Sequence, residues 1–432
     1  HKKVLKLIDQ ADYLSTKYQV VVTNPPYMGK GMSDLLSKYL SDNFNKAKSD
    51  LFSAFILRNL NLCQSGGQLG FMTPFVWMFI SSYEKLRKYL IKNTCITSLV
   101  QLEYSGFDGA TVPICTYTLA NHTDPNYKGG YIKLSDFRGA ENQAPRTLEA
   151  IANPDCGWFF HCKTSDFIKI PGAPIAYWVS DRTRNCFSHK QISDDYVIKN
   201  GLQTGNVNKY TRLWWEPHYS ELFQVQLPIE TKKGYKWMPC NNAGEFKKWI
   251  CCCISIVNWE NDGALIRADK SSRPQNVDYY FRSGVSWGMI TSAASSFRYI
   301  PKGYIFDNSA PTAFGEDLEP LLCFLNSVVA MHFISLLNPT LNLTVSTVGS
   351  LPIMGKDYDV CYYYIDLLNI TKDDWDSYET SWDFQQLPLL GVRCQGLGVR
   401  DCYAKLREQW FDNTLKMQEL EEENNRIFIE AY

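Results

Sequence analysis

Val20-Val21-Val22-Thr23-Asn24-Pro25-Pro26-Tyr27 is a β-branched run that breaks off in Asn-Pro-Pro-Tyr. β-Branched residues favour extended backbone, and the two prolines end the strand because neither can donate to a sheet ladder. The stretch reads as a buried strand of an α/β domain, ending in one amide, two stiff carbonyls and one aromatic ring. That set suits a flat nucleobase carrying an amino group. An exocyclic amine on a heteroaromatic ring is a poor nucleophile, because its lone pair is delocalised into the ring. If the side-chain oxygen of Asn24 and the backbone oxygen of Pro25 each accept one N–H, the nitrogen moves towards tetrahedral geometry and its lone pair is freed. This is catalysis by positioning and electrostatics. Pro26 stiffens the loop and Tyr27 offers a face on which the base stacks.

Working outward, Ser49 or Asp50 caps a helix with an apolar face from Leu51 onward. Gly66 to Pro74 reads as a turn and a buried strand stopped by proline. Ser82 to Lys92 reads as a helix with a Glu84–Lys88 pair, and Ile114 to Leu119 as another strand. Further on, Leu321 to Leu337 is the most apolar window; it falls short of the ~20 residues that span a bilayer and reads as one core helix. A long helix runs from Asp401 to about Tyr432, with Leu406, Trp410, Leu415 and Leu420 forming an incomplete apolar stripe. Asn338-Pro339 lacks the second proline and the aromatic residue, so it is not a second catalytic loop.

The 432 residues suffice for two or three domains with cores, and 45% hydrophobic with 14% aromatic content excludes general disorder. Fourteen cysteines without Cys-x-x-Cys spacing, including Cys251-Cys252-Cys253, imply reduced thiols of a soluble cytoplasmic protein, with no metal site and no membrane association. The net charge of −1 conceals an uneven distribution. Residues 199–302 hold 14 Lys and Arg against 8 Asp and Glu, whereas residues 356–432 hold 8 against 16. The basic middle also holds six of the twelve tryptophans. There Lys209, Arg212, Lys232, Lys233, Lys236, Lys247 and Lys248 interleave with aromatic residues, as phosphate clamps with neighbouring base contacts would. The same pattern also describes solvated loops round a tryptophan-rich core.

The Asn24-Pro25-Pro26-Tyr27 loop, with the segments at Ser49–Phe55, Gly66–Pro74 and Phe107–Leu119 in that order, resembles the N6-adenine DNA methyltransferases. That resemblance implies S-adenosylmethionine as methyl donor and a target adenine swung out of the duplex. It makes Asn24, Pro25, Pro26 and Tyr27 catalytic, with Tyr27 and Phe107 as the two walls of the base pocket, although Phe107 reads equally as a loop-anchoring aromatic. Asp12 is a candidate contact to the donor. The family's glycine-rich donor turn has no counterpart before Asn24, so the donor site is expected upstream of this chain, and the chain alone is expected to be inactive. Gly201-Leu202-Gln203-Thr204-Gly205-Asn206 resembles the opening of a target-recognition domain. Lys236–Asn242, Gly244–Trp249, Val257–Gly263 and Trp375–Phe384 are similar to the large methyltransferases of the BREX phage-defence systems, the PglX family, so the likeness covers nearly the whole chain.

The expected architecture is α/β. Part of a doubly wound, Rossmann-like methyltransferase domain (1–135) is followed by a connector (136–198), a mixed α/β target-recognition domain that binds double-stranded DNA (199–355) and an acidic helical tail (356–432). The function implied is site-specific adenine methylation that marks self DNA, alongside other defence-system proteins. Two readings compete. Protein-glutamine methyltransferases share the loop but end soon after the catalytic domain, and a DNA-recognition module with little activity of its own would use the basic segment alone.

Overall fold

The computed structural model describes residues 2–432 except 30, 105, 107–112, 226, 291–293, 339–340, 355–360 and 392–397. Two compact units meet in sequence at Ser188 and His189. The first is built on a six-stranded sheet of order β1-β2-β4-β3-β5-β6. Its strands are β1 (Tyr18–Thr23), β2 (Cys63–Pro74), β3 (Cys95–Gln101), β4 (Ile114–Ala120), β5 (Lys128–Lys133) and β6 (Phe159–Lys163). Helices α1 (Lys2–Ser15), α2 (Asp34–Asn43), α3 (Leu51–Leu62), α4 (Glu84–Asn93), α5 (Ala140–Ala152) and α6 (Asp181–Cys186) complete the unit. β1 and β2 are parallel, while β4 runs antiparallel between β2 and β3. Leu69, Leu86, Leu99, Leu119 and Trp77 form the centre of the core.

Several expectations change here. Among the described residues β1 stands at the edge of the sheet, pairing with β2 alone, with Val20 and Val22 61% and 75% exposed. The neighbouring α1 likewise buries none of its residues. The proposed connector is structural, since β6 pairs antiparallel with β5. Tyr177, stacked on Tyr131, donates to the Gln101 side chain at 2.8 Å. Arg87 of α4 reaches the carbonyls of Gly172 and Ala173. Residues up to Ser188 therefore belong to the first unit.

The second unit holds two sheets of order β10-β13-β12-β15-β7 and β14-β9-β11-β8. The strands are β7 (Val197–Lys199), β8 (Thr211–Leu213), β9 (Trp237–Asn241), β10 (Trp249–Ile250), β11 (Ser255–Asn258), β12 (Gly284–Trp287), β13 (Phe297–Ile300), β14 (Ile305–Phe306) and β15 (Thr312–Phe314). Short helices α7 (Ile192–Asp195), α8 (Val207–Tyr210) and α9 (Glu260–Ala268) accompany them. Helices α10 (Leu318–Leu325), α11 (Val328–Leu337), α12 (Val345–Gly349), α13 (Cys361–Trp375), α14 (Pro388–Gly391) and α15 (Val399–Ala431) follow. In the Gly201–Asn206 motif both glycines are required. A Cβ on Gly201 would strike the Phe306 carbonyl, and Gly205, at φ +68°, has the Ser271 carbonyl against it.

The window at 321–337 is two helices, α10 and α11, bent by 71°. The Asn326 side chain exchanges hydrogen bonds with both backbone groups of Phe297, and Ser327 caps α11 by accepting from Ala330 N–H, so the turn is specified by side chains. Among the described residues no single helix is long and apolar enough to cross a membrane. The acidic tail is integral to the second unit. Tyr363 donates to Asn424, whose amide donates to the Cys323 carbonyl, and Tyr432 stacks on Phe324. Leu406 and Leu420 of α15 are buried, but Trp410 and Leu415 between them are exposed, so the apolar stripe is buried only at its two ends. Most described cysteines are free thiols, many of them buried, whereas Cys402 is disulfide-bonded.

Candidate active site and nucleic-acid interface

β1 ends where its last pair, Thr23 with Phe71 of β2, closes, and the loop begins at the next residue. Pro25 is buried, while Asn24, Pro26 and Tyr27 face outward. The Tyr27 hydroxyl lies 3.2 Å from Asn24 Oδ1 and 3.3 Å from the Met72 carbonyl, so it donates between the Asn24 amide and β2. A carbonyl-type oxygen has two lone pairs, and this contact leaves Asn24 Oδ1 one for a substrate N–H. Burial, with a smaller effect of Cys115, raises the Tyr27 pKa above its usual value and keeps the hydroxyl a donor. The ring is 39% exposed and meets the edge of Phe52 at a centroid distance of 6.1 Å, leaving area for a stacked base. Behind Phe52 stands Tyr83, at 5.7 Å, whose phenol is pushed up to about 12 by burial and by Asp50.

The far side of the loop is held by the start of α3. Asp50 caps that helix by accepting from Phe52 N–H at 3.2 Å, and the same Oδ1 accepts from Met28 N–H at 2.9 Å. Sequence reading found Asp50 and Phe52 only as a cap and an apolar helix face; no local signal tied either to the loop. Phe107 lies outside the described residues. Asp12 is on the exposed helix α1, where its backbone carbonyl accepts from Ser15 and Thr16. Its place on a helix, away from a strand end, gives no support to a donor contact. Among the described residues no group of three or more His, Cys, Asp or Glu is placed to hold a metal ion.

The seven basic candidates fall into three settings. Arg212 and Lys236 converge on Trp237, 5.7 and 5.6 Å from its ring centre, although Arg212 also bonds the Asn208 and Thr211 carbonyls. Lys209 pairs with Asp269 at 3.4 Å and Lys232 with Asp262 at 3.5 Å, while Lys233 is exposed beside them in sequence. Asp269 is held well below the usual carboxylate range by bonds from Ser271 and Tyr210. Lys247 and Lys248 are instead committed to the tail, pairing with Asp374 at 3.3 Å and Glu421 at 2.9 Å, and Trp249 also donates to Glu421. Trp214 stacks on Trp382 and donates to the Thr380 carbonyl, so part of the tryptophan-rich segment is core.

A mixed sheet whose first strand runs into the Asn-Pro-Pro-Tyr loop, with an antiparallel β4 set between β2 and β3, is the α/β architecture in which the loop stands at a strand's carboxy-terminal end. Residues 2–107 match the Eco57I restriction-modification methylase family. The chain is 30% identical over 447 residues to the adenine-specific methyltransferase PglX of Lacticaseibacillus casei, covering 99% of this chain and 37% of that protein. It is 32% identical over 400 residues to the adenine-specific methyltransferase BrxX of Escherichia coli, covering 90% and 32% respectively. The chain is similar to these adenine-specific methyltransferases of the PglX family along nearly all of its own length, and it spans about a third of the length of these two relatives. Its fold is similar over 95% of the chain to the Type IIL restriction-modification enzyme MmeI solved with DNA, with a TM-score of 0.52 at 11% identity and 54% of that chain covered.

Proposed function

We propose that the complete protein transfers a methyl group from S-adenosylmethionine to the N6 amine of adenine in double-stranded DNA. The reaction marks self DNA in the cytoplasm as part of a bacterial phage-defence system that includes other proteins. The observation that carries this reading is the Asn24–Tyr27 loop, its amide oxygen oriented by the Tyr27 hydroxyl with one lone pair to spare. S-adenosylmethionine supplies an electrophilic methyl carbon. Asn24 Oδ1 and the Pro25 carbonyl hold the two amine hydrogens. As the nitrogen lone pair forms the new N–C bond, the methyl–sulfur bond would break with its electron pair left on sulfur and S-adenosylhomocysteine as the leaving group; these oxygens stabilise the positive charge that develops on nitrogen, and the surplus proton passes to water. Tyr27 stacks on the extruded base, with Phe107 as the proposed opposite wall.

The residues present fit the acceptor side of this chemistry. The second unit reads the DNA, with Lys236 and Arg212 round Trp237, and the exposed Lys233, as its phosphate-facing residues. Long-read methylation mapping of DNA from cells carrying the complete protein, beside cells carrying Asn24→Ala, tests the proposal. The expected result is N6-methyladenine at one short motif that disappears in the mutant. Unmodified adenine in both strains, or methylation that survives the mutation, overturns it.

A further inference from the structure

We infer that Asp50 is a positioning residue for methyl transfer, holding the Asn-Pro-Pro-Tyr loop in register for chemistry through its carboxylate. The inference rests on the function proposed above. Two successive prolines leave the loop without backbone donors at positions 25 and 26, so little backbone is available to tether it. Its entry is fixed by the pairing of Thr23 with Phe71. Its exit is fixed by residues 50–52, where Met28 N–H donates to Asp50 Oδ1 at 2.9 Å and the Met28 carbonyl receives Leu51 N–H at 3.4 Å. The Tyr27 ring rests on Phe52.

The carboxylate therefore serves two segments at once: the same oxygen caps α3 through Phe52 N–H. Its other oxygen would lie 3.1 Å from a Cβ on Gly29, so the chain passes closely over it. A hydrogen bond from a charged acceptor is stronger than a neutral one, and one made to a loop with so few other donors sets where Tyr27 and Asn24 stand. A shift of about 1 Å in reacting groups can cost ~100-fold in rate.

The two duties of Asp50 separate experimentally. Serine is as good a helix cap as aspartate, but its side chain is one atom shorter and has a single oxygen to share between Phe52 and Met28. Asparagine keeps an oxygen in the position of Oδ1. In the complete protein, Asp50→Ser is expected to lower kcat roughly 10- to 100-fold, with the KM for DNA and the melting temperature little changed. Asp50→Asn is expected to restore most of kcat. Fluorescence of 2-aminopurine at the target position should show the base still leaving the stack in Asp50→Ser, because extrusion precedes the step that the loop position controls.

Wild-type kcat in Asp50→Ser overturns the inference. So does a fall in kcat that tracks a lowered melting temperature and that Asp50→Asn does not repair, since that pattern is simple loss of the cap. Asn24→Ala assayed in parallel keeps the two levels apart. If the wild-type protein shows no Asn24-dependent methylation, the proposed function itself falls; if it does and Asp50→Ser matches the wild type, the role of Asp50 alone falls.

Discussion

Arg87 of α4 is 1% exposed, and no carboxylate bonds its guanidinium among the contacts of the described residues. It donates instead to four backbone carbonyls: Trp77 at 2.8 Å, Ile80 at 2.7 Å, Gly172 at 2.7 Å and Ala173 at 3.1 Å. These fasten the end of the sheet to the segment that leads into α6. Replacing Arg87 by Met keeps most of the volume and removes every donor. Carbonyls left without partners cost ~1–3 kcal/mol each when buried. Against that stands the penalty of burying the guanidinium, which pushes its pKa down to about 10, and that is worth roughly 3 kcal/mol at ~1.4 kcal/mol per pKa unit. Four such carbonyls less that penalty leave an expected net loss of about 5 kcal/mol, the middle of a range of about 1 to 9. Hydrogen exchange read by mass spectrometry localises it: peptides from α4, β6 and residues 170–178 should exchange at least ~100-fold faster, while β12 and β13 in the second unit stay unchanged. A loss below ~1 kcal/mol would mean that water or relaxed backbone replaces the guanidinium, and the reasoning from unpaired carbonyls would fail.

Two further outcomes follow from the second unit. Burial raises the Asp307 carboxyl to about 6, against hydrogen bonds from Ser309 and Ala310 that pull it down. A carboxyl whose pKa is raised on folding adds stability while protonated, and that contribution is lost as pH climbs from ~4 through 6. Asp307→Asn should therefore be more stable than the parent at pH 7.5, by up to roughly 3 kcal/mol, with the advantage gone near pH 4; chemical denaturation at the two pH values decides it, and an equal effect at both would refute it. Lys233 and Lys248 should separate phosphate contact from internal pairing. Lys233→Ala is expected to lower the salt-dependence slope of DNA binding by about one, whereas Lys248→Ala should leave the slope alone and cost stability by leaving Glu421 with the Trp249 N–H but without its ion-pair partner. Fluorescence anisotropy titrations at several salt concentrations measure both, and a reversed pattern would move the DNA surface to the tail.

What was legible early was local. Asn24 to Tyr27 declares itself because proline fixes its own φ and removes its own donor whatever surrounds it, and Asp50 announces a helix because a cap is satisfied within three residues. The Glu84–Lys88 pair, spaced at one helical turn, closes at 2.6 Å. The apparent connector was misjudged because the merit of Phe159 and Phe160 lies in pairing with β5, and nothing within either segment specifies its partner. The 321–337 window misled for a similar reason: Asn326 and Ser327 look like interruptions of one helix until the backbone of Phe297 is seen to complete them.

By itself the amino-acid sequence determined the stiff Asn-Pro-Pro-Tyr loop, its aromatic residue, the likeness to adenine methyltransferases and the uneven charge, since each depends on residue type and short spacing. Tertiary structure alone decided that residues up to 188 belong to the first unit, that Lys247 and Lys248 pair with the tail, and that one carboxylate at Asp50 bonds the loop. Those are statements about which distant groups meet. Burial and charge pairing across tens or hundreds of residues are set by how the whole chain packs, and no stretch of sequence contains both halves of such a contact.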